Sequence, residues 1–197
     1  MNTPKTLTTD ESKKLIKTLH SNYANHGNYR RAIRNTCIGL LMLDAGLRVG
    51  EVAQLRRNRL LVMGEAVKQI VIPADITKTK TERTIPATDR IRLSILELKD
   101  EVWDYYPGST DPWAFWSDDP AKHISVRQIE RIIGFAALKT FGRSIHPHIL
   151  RHTFASRLMR VTNARIVQQL LGHKSLTSTQ IYTHPNGDDL KNAIEKI

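Results

Sequence analysis

Apolar residues recur at helical spacing through most of the chain, and strict alternation is confined to one stretch near its middle. Thr8 followed by Glu11 has the form of a capping box, and Leu15, Ile16 and Leu19 then supply one apolar face. After a polar turn, residues 29–43 predict a long helix. Its second half, Cys37-Ile38-Gly39-Leu40-Leu41-Met42-Leu43, is apolar nearly all round, which predicts a central buried helix ended by Gly46. A short helix follows over residues 47–55. Residues 60–63, 67–73 and 83–86 read as three short strands around Gly64 and the loop Thr77-Lys78-Thr79-Lys80-Thr81.

Helical spacing returns over residues 89–105. A long loop to Asp119 then carries Trp113 and Trp116, expected to anchor it on the core. Ser125 caps a helix over residues 126–140, with Ile129, Ile132, Ile133 and Leu138 expected to face inward. Pro147 opens a helix from His148 to about Arg160. Two short helices, 165–171 and 176–182, and an amphipathic tail helix over about 188–197 complete the chain. No repeat or linker divides it. The expectation is one domain over residues 1–197, mainly α with a small antiparallel β-sheet.

Composition changes this picture in one respect. A net charge of +11 and a pI near 10, without low-complexity tails, describe a folded basic surface suited to polyanions, chiefly nucleic acid. A merely basic protein or an RNA-binding domain would share that charge. The single cysteine, Cys37, excludes an internal disulfide framework, fits a reducing compartment and reads as a buried structural thiol. Neither a secretory signal nor a membrane-spanning run is present in the sequence, so the expected location is the cytoplasm, on DNA when bound.

Candidate chemistry gathers late in the chain. His146, His148 and His152 invite a metal, but the position after His148 holds Ile149 where a zinc-protease helix needs Glu, and no Cys pair or acidic cluster accompanies them. No metal and no cofactor is expected. Moving a phosphodiester without metal requires strong cations around its non-bridging oxygens, a nucleophile, and a proton for the leaving oxygen. Arginine, planar and always charged, suits the first task. Arg48, Arg151, Lys78, His148, His173 and Tyr182 are of the required types, though composition does not assemble them. Arg48 and Glu51, three apart, share a helix face. On the helix of residues 126–140, Arg127, Gln128 and Arg131 form a polar face able to enter a major groove or simply to remain solvated.

Four segments in order, AGLRVGEVAQL, TKTKTERTIP, HPHILRHTFASRLM and LLGHKSLTSTQIYTH, resemble the tyrosine recombinase (phage integrase) family, and their frame covers almost the whole chain. The resemblance implies that Arg48 and Arg151 clamp the scissile phosphate. It implies that His148 assists proton movement at the tyrosine, and that His173 hydrogen-bonds the phosphate. Lys78 would protonate the departing 5′-hydroxyl, with Lys80 a competitor in the repetitive loop. Glu51 would orient the active-site arginine, and Tyr182 would attack to form a 3′-phosphotyrosine. Lys80, Arg83, Arg127, Gln128 and Arg131 are expected to contact DNA.

The implied activity is site-specific cleavage and rejoining of double-stranded DNA by a homo-tetramer joined through the tail, with possible accessory DNA-bending proteins. The alternatives are a type IB topoisomerase-like enzyme and a non-catalytic DNA-binding regulator. Most family members carry an N-terminal helical domain that closes around DNA. The chain starts almost at its first catalytic-domain helix, which reads as a compact form without that core-binding domain, like the fimbrial-switch invertases, or as an excised fragment.

Overall fold

A computed structural model describes residues 6–21, 26–105 and 112–173. The expected class holds: the described chain is mostly helical, with small antiparallel ribbons. Helix α1 (Thr9–His20) begins as its sequence predicts. The Thr8 hydroxyl accepts from the Glu11 amide, and the Glu11 carboxylate accepts from the Thr8 amide. Helix α2 (His26–Asp44) is the centre of the molecule. Ile33, Cys37, Ile38, Leu41 and Met42 are fully buried, because α1, α4 (Asp89–Leu98), α5 (Val126–Phe141) and α6 (His148–Met159) pack around it. Burial pushes the Cys37 thiol up to about 12, so it behaves as a small apolar side chain.

The chain leaves α2 through Gly46, whose φ of +64° only glycine adopts readily. Space demands glycine there too: a Cβ would lie 2.3 Å from the Phe154 ring on α6. The next helix, α3 (Val49–Ala53), is shorter than expected, and Arg48 precedes it in extended conformation. Among the described residues there are four strands instead of three, in two separate two-stranded ribbons. Strands β1 (Leu61–Val62) and β2 (Glu65–Ala66) form a tight hairpin through Met63 and Gly64, both at positive φ. Strands β3 (Gln69–Ile72) and β4 (Arg83–Pro86) form the second, with Ile70 opposite Ile85 and Ile72 opposite Arg83.

Helix α4 does not run regularly to residue 105, because Lys99–Trp103 winds as a π-helical turn that buries Val102 and Trp103. Both loop tryptophans act as anchors. Trp116 is buried in the core, while the Trp113 ring lies under the Arg56 guanidinium at 3.3 Å. In α5 the Ser125 hydroxyl accepts from the Gln128 amide as predicted. Leu138 departs from expectation: it is 50% exposed and Phe135 is 64% exposed, while the inward volume is taken by Ala136 and Ala137 beside Ile129 and Ile133. Helix α7 (Ala164–Leu171) is capped by Asn163 and ends at Gly172, φ +64°. The expected helices at 176–182 and about 188–197 lie outside the described residues. Among the described residues, no helix is long and apolar enough to cross a membrane.

Candidate active site

Arg48 is the residue just before α3, and the start of that helix holds it. The Glu51 carboxylate accepts the Arg48 backbone amide at 2.7 Å and its guanidinium at 3.0 Å. The expected pairing of the two is therefore present, as a cap-to-third-residue contact rather than two residues on one helix face. Glu51 itself is buried and the Arg48 side chain is 19% exposed, so the carboxylate points inward and the arginine outward.

Arg83 corrects one expectation. Expected among the DNA-contacting groups, it is buried, and its guanidinium meets both Glu51 oxygens at 2.9 and 2.6 Å. A charge can be buried only when paired and hydrogen-bonded, and Glu51 satisfies that need. Its Nε donates to the Leu170 carbonyl at 3.0 Å. The signal was present in the sequence: Arg83 is in phase with Ile85 on an alternating strand, which puts it on the inward face. Burial pushes the Glu51 carboxyl upward. The Arg83 hydrogen bonds and charge, the Arg48 amide and the Arg151 charge outweigh that, and Glu51 stays below the usual carboxylate range.

Arg151, on α6, is also buried. Its guanidinium donates to the Gly46 carbonyl and, at 2.7 Å, to the Leu171 carbonyl. The last two carbonyls of α7, at Leu170 and Leu171, are thus closed by Arg83 and Arg151, two groups that the end of a helix leaves without backbone donors. Gly172 allows this approach, since a Cβ there would meet the Arg83 side chain at 3.0 Å.

His173 follows at once. Its amide donates to the Gln168 carbonyl, and its Nε2 faces Arg151 Nη2 at 3.4 Å. An arginine only donates, so this ring nitrogen accepts and the proton sits on Nδ1. Burial first, then the charges of Arg151, Arg48 and Arg83 and the neighbouring His152, hold His173 down at about 4. It is a neutral hydrogen-bonding group at neutral pH. His148, exposed at the start of α6, stacks on His146 at 5.0 Å. Burial, His146, Arg151 and Arg48 lower its pKa against the opposing pull of Glu130. His152, which the sequence brought forward only as a metal ligand, is lowered by burial, His148 and Arg151. Among the described residues no group of three or more potential ligands could hold a metal.

These mutual influences put Arg48, Arg151, His148, His152 and His173 in one neighbourhood, with Glu51 and Arg83 beneath them. Lys78 is exposed on the turn between β3 and β4. Thr77 organises that turn, its hydroxyl bonding Ala74, Thr81 and the Thr81 amide. The Lys80 ammonium bends back onto the Asp75 carbonyl at 3.1 Å, which separates the two lysines. Arg127 and Arg131 are exposed on α5 and Gln128 is half-buried, on the edge of a broad groove they share with Phe135 and Leu138. Tyr182 lies outside the described residues.

Three comparisons bear on this arrangement. The tyrosine recombinase XerC of Thermodesulfovibrio yellowstonii is 33% identical over 201 residues, covering 98% of this chain and 60% of the relative. The chain thus spans about 60% of the length of such a relative. The crystal structure of XerA recombinase superimposes with a TM-score of 0.76 at 25% identity, over 100% of this chain and 64% of that one. XerH site-specific recombinase bound to difH substrate, in a pre-cleavage complex, gives 0.71 at 26% identity, over 98% and 54%. The model of the phage integrase family matches residues 5–188, and the chain belongs to that family.

Proposed function

We propose that this protein is a site-specific DNA recombinase that cleaves and rejoins strands through a covalent 3′-phosphotyrosine, without metal or ATP. One observation carries the reading: two guanidiniums, Arg48 and Arg151, are held beside His148 and the neutral His173, while the nearby negative charge of Glu51 is neutralised by Arg83. A phosphodiester entering this site finds positive charge already oriented, which is the preorganisation that phosphoryl transfer needs.

The step balances as a transesterification. The Tyr182 oxygen attacks phosphorus and its proton passes to His148. Arg48 and Arg151 hold the two non-bridging oxygens as charge concentrates on them, with His173 hydrogen-bonding beside them. The bond to the 5′-oxygen breaks, and Lys78 supplies that oxygen with a proton. The phosphotyrosine conserves the bond, so a 5′-hydroxyl from another strand reverses the step and completes the exchange. Arg127, Gln128 and Arg131 on α5 and Lys80 would meet the duplex. Exchange between two duplexes calls for four protomers, for which the tail over residues 188–197, with Leu190, Ile194 and Ile197, is the proposed contact. Accessory bending proteins and a cytoplasmic location belong to the same reading. The relatives are named as recombinases, which supports strand exchange over relaxation.

The test is a nicked suicide duplex, chosen from a randomised pool by binding to this protein, followed by a denaturing gel. A covalent protein–DNA band is expected, absent in Tyr182→Phe. Arg151→Ala should lose the band by ~10²–10³-fold while retaining most DNA affinity. A band that persists in Tyr182→Phe removes the nucleophile. Relaxation of supercoiled plasmid without a preferred site would favour a topoisomerase.

A further inference from the structure

Arg83 is a buried arginine at the start of β4, and its guanidinium faces inward. Every polar atom it uses belongs to the framework of the site. Its Nη1 and Nη2 meet Glu51 Oε1 and Oε2, and its Nε meets the Leu170 carbonyl. Both Glu51 oxygens are shared. Oε1 accepts from Arg83 and from the Arg48 guanidinium at 3.0 Å, and Oε2 accepts from Arg83 and from the Arg48 amide at 2.7 Å. Glu51 therefore holds Arg83 and Arg48 through the same two oxygens. The Arg83 side chain packs under Gly172, one residue before His173.

We infer that Arg83 is a positioning residue for phosphate recognition, setting the Arg48 guanidinium through Glu51 and the His173 turn through Leu170. This rests on the recombinase reading above. Three separate elements, α3, β4 and the end of α7, meet at this one guanidinium, and Arg48 before α3 and His173 after α7 are groups that would face the phosphate. A planar fork with donors on both edges is needed to bind a carboxylate on one side and a carbonyl on the other, which lysine cannot do. Loss of the fork frees Glu51 to swing with Arg48. The bulk of the DNA-contacting surface is untouched, so the cost falls on the reaction step and not on affinity.

The experiment compares the native protein with Arg83→Gln and Arg83→Lys on the nicked duplexes selected above. One set carries the natural scissile phosphate, one a methylphosphonate, which lacks a charged non-bridging oxygen, and one a 5′-phosphorothiolate, whose sulfur leaves without a proton. At saturating DNA, Arg83→Gln should form adduct on the phosphate at least tenfold more slowly, with DNA affinity within threefold of native. The defect should shrink several-fold on the methylphosphonate, where arginine clamping matters less, and persist on the phosphorothiolate. Arg83→Lys should fall between.

Thermal melts of both variants identify unfolding. If Arg83→Gln unfolds, Arg83→Lys carries the comparison, and an unfolded Arg83→Lys assigns Arg83 to stability alone and overturns the inference. Native cleavage rates, a loss confined to affinity, or equal slowing on all three linkages overturn it as well. Absence of adduct from the native protein itself would instead remove the recombinase reading, and the inference with it.

Discussion

Glu51 and Arg83 form a two-pronged ion pair at 2.9 and 2.6 Å, with side-chain exposures of 1% and 4%. Such a pair is weak evidence for stability while intact, because both charges were taken out of water to make it. Breaking one side is different, since the other charge is left buried. Glu51→Gln should destabilise the fold by about 3–5 kcal/mol. Thermal or urea unfolding measures this. The double variant Glu51→Gln, Arg83→Met should recover part of the loss, and a fully additive loss would contradict the pairing.

Gly46 combines a positive φ with a Cβ position 2.3 Å from the Phe154 ring. Gly46→Ala is expected to cost about 1–2 kcal/mol from backbone strain alone, and about 1–3 kcal/mol more from overpacking. Phe154→Ala in the same chain should relieve the second part and leave the first. A double-mutant cycle on unfolding free energies separates them.

Much of the framework behind these two sites was legible in the chain. The apolar run from Cys37 to Leu43, the Thr8 and Ser125 caps and the glycine ends of α2 and α7 are local signals, and each element formed where they placed it. The extent of pairing in the β region was not local. Residues 61–66 close a ribbon of their own because Met63 and Gly64 turn at positive φ, a choice made by backbone geometry that alternation does not encode. Leu138 misled because a helical stripe wider than the buried seam reads as core. In the site, motif order brought forward Arg48, Arg151, His148 and His173, which the fold places in one neighbourhood. Arg83, expected at the DNA, is instead buried against Glu51, a partner thirty-two residues away that no local pattern announces.

Acid should act on His173 first. Its folded value of about 4 lies below the ordinary histidine value, so the unfolded chain binds the proton more readily. The stability this represents is present above about pH 6.5 and is lost as pH falls toward 4. His148 and His152 are shifted the same way and add to the slope. The melting temperature should therefore decline between pH 6.5 and 5, above the range where carboxylates titrate. His173→Gln should flatten that decline, and an unchanged profile would contradict the assignment.

The hairpin lysines should separate kinetically. Both are exposed, but the Lys80 ammonium is turned onto the Asp75 carbonyl. Lys78→Ala should slow adduct formation by ~10²–10⁴-fold as the loss of a general acid, with rates recovering on a 5′-phosphorothiolate. Lys80→Ala should change the rate far less. The reverse order in single-turnover assays would exchange their roles.

On α5, Arg127→Ala should weaken binding to the preferred duplex by about 1–3 kcal/mol if the side chain reads a base edge. Affinity for unrelated duplex at the same salt should fall much less. Fluorescence anisotropy on both duplexes makes the comparison, and equal losses would mean phosphate contact only.

Arg151 ties the loop beyond α2 to the end of α7 by its bonds to the Gly46 and Leu171 carbonyls. One side chain is thereby a tether between two parts of the chain more than a hundred residues apart. Tyr182 comes only nine residues after His173 in the sequence. A pull on the end of α7 would therefore be felt at the guanidinium proposed to hold the phosphate, so on that reading the mechanical and the electrostatic readiness of the site rise and fall together.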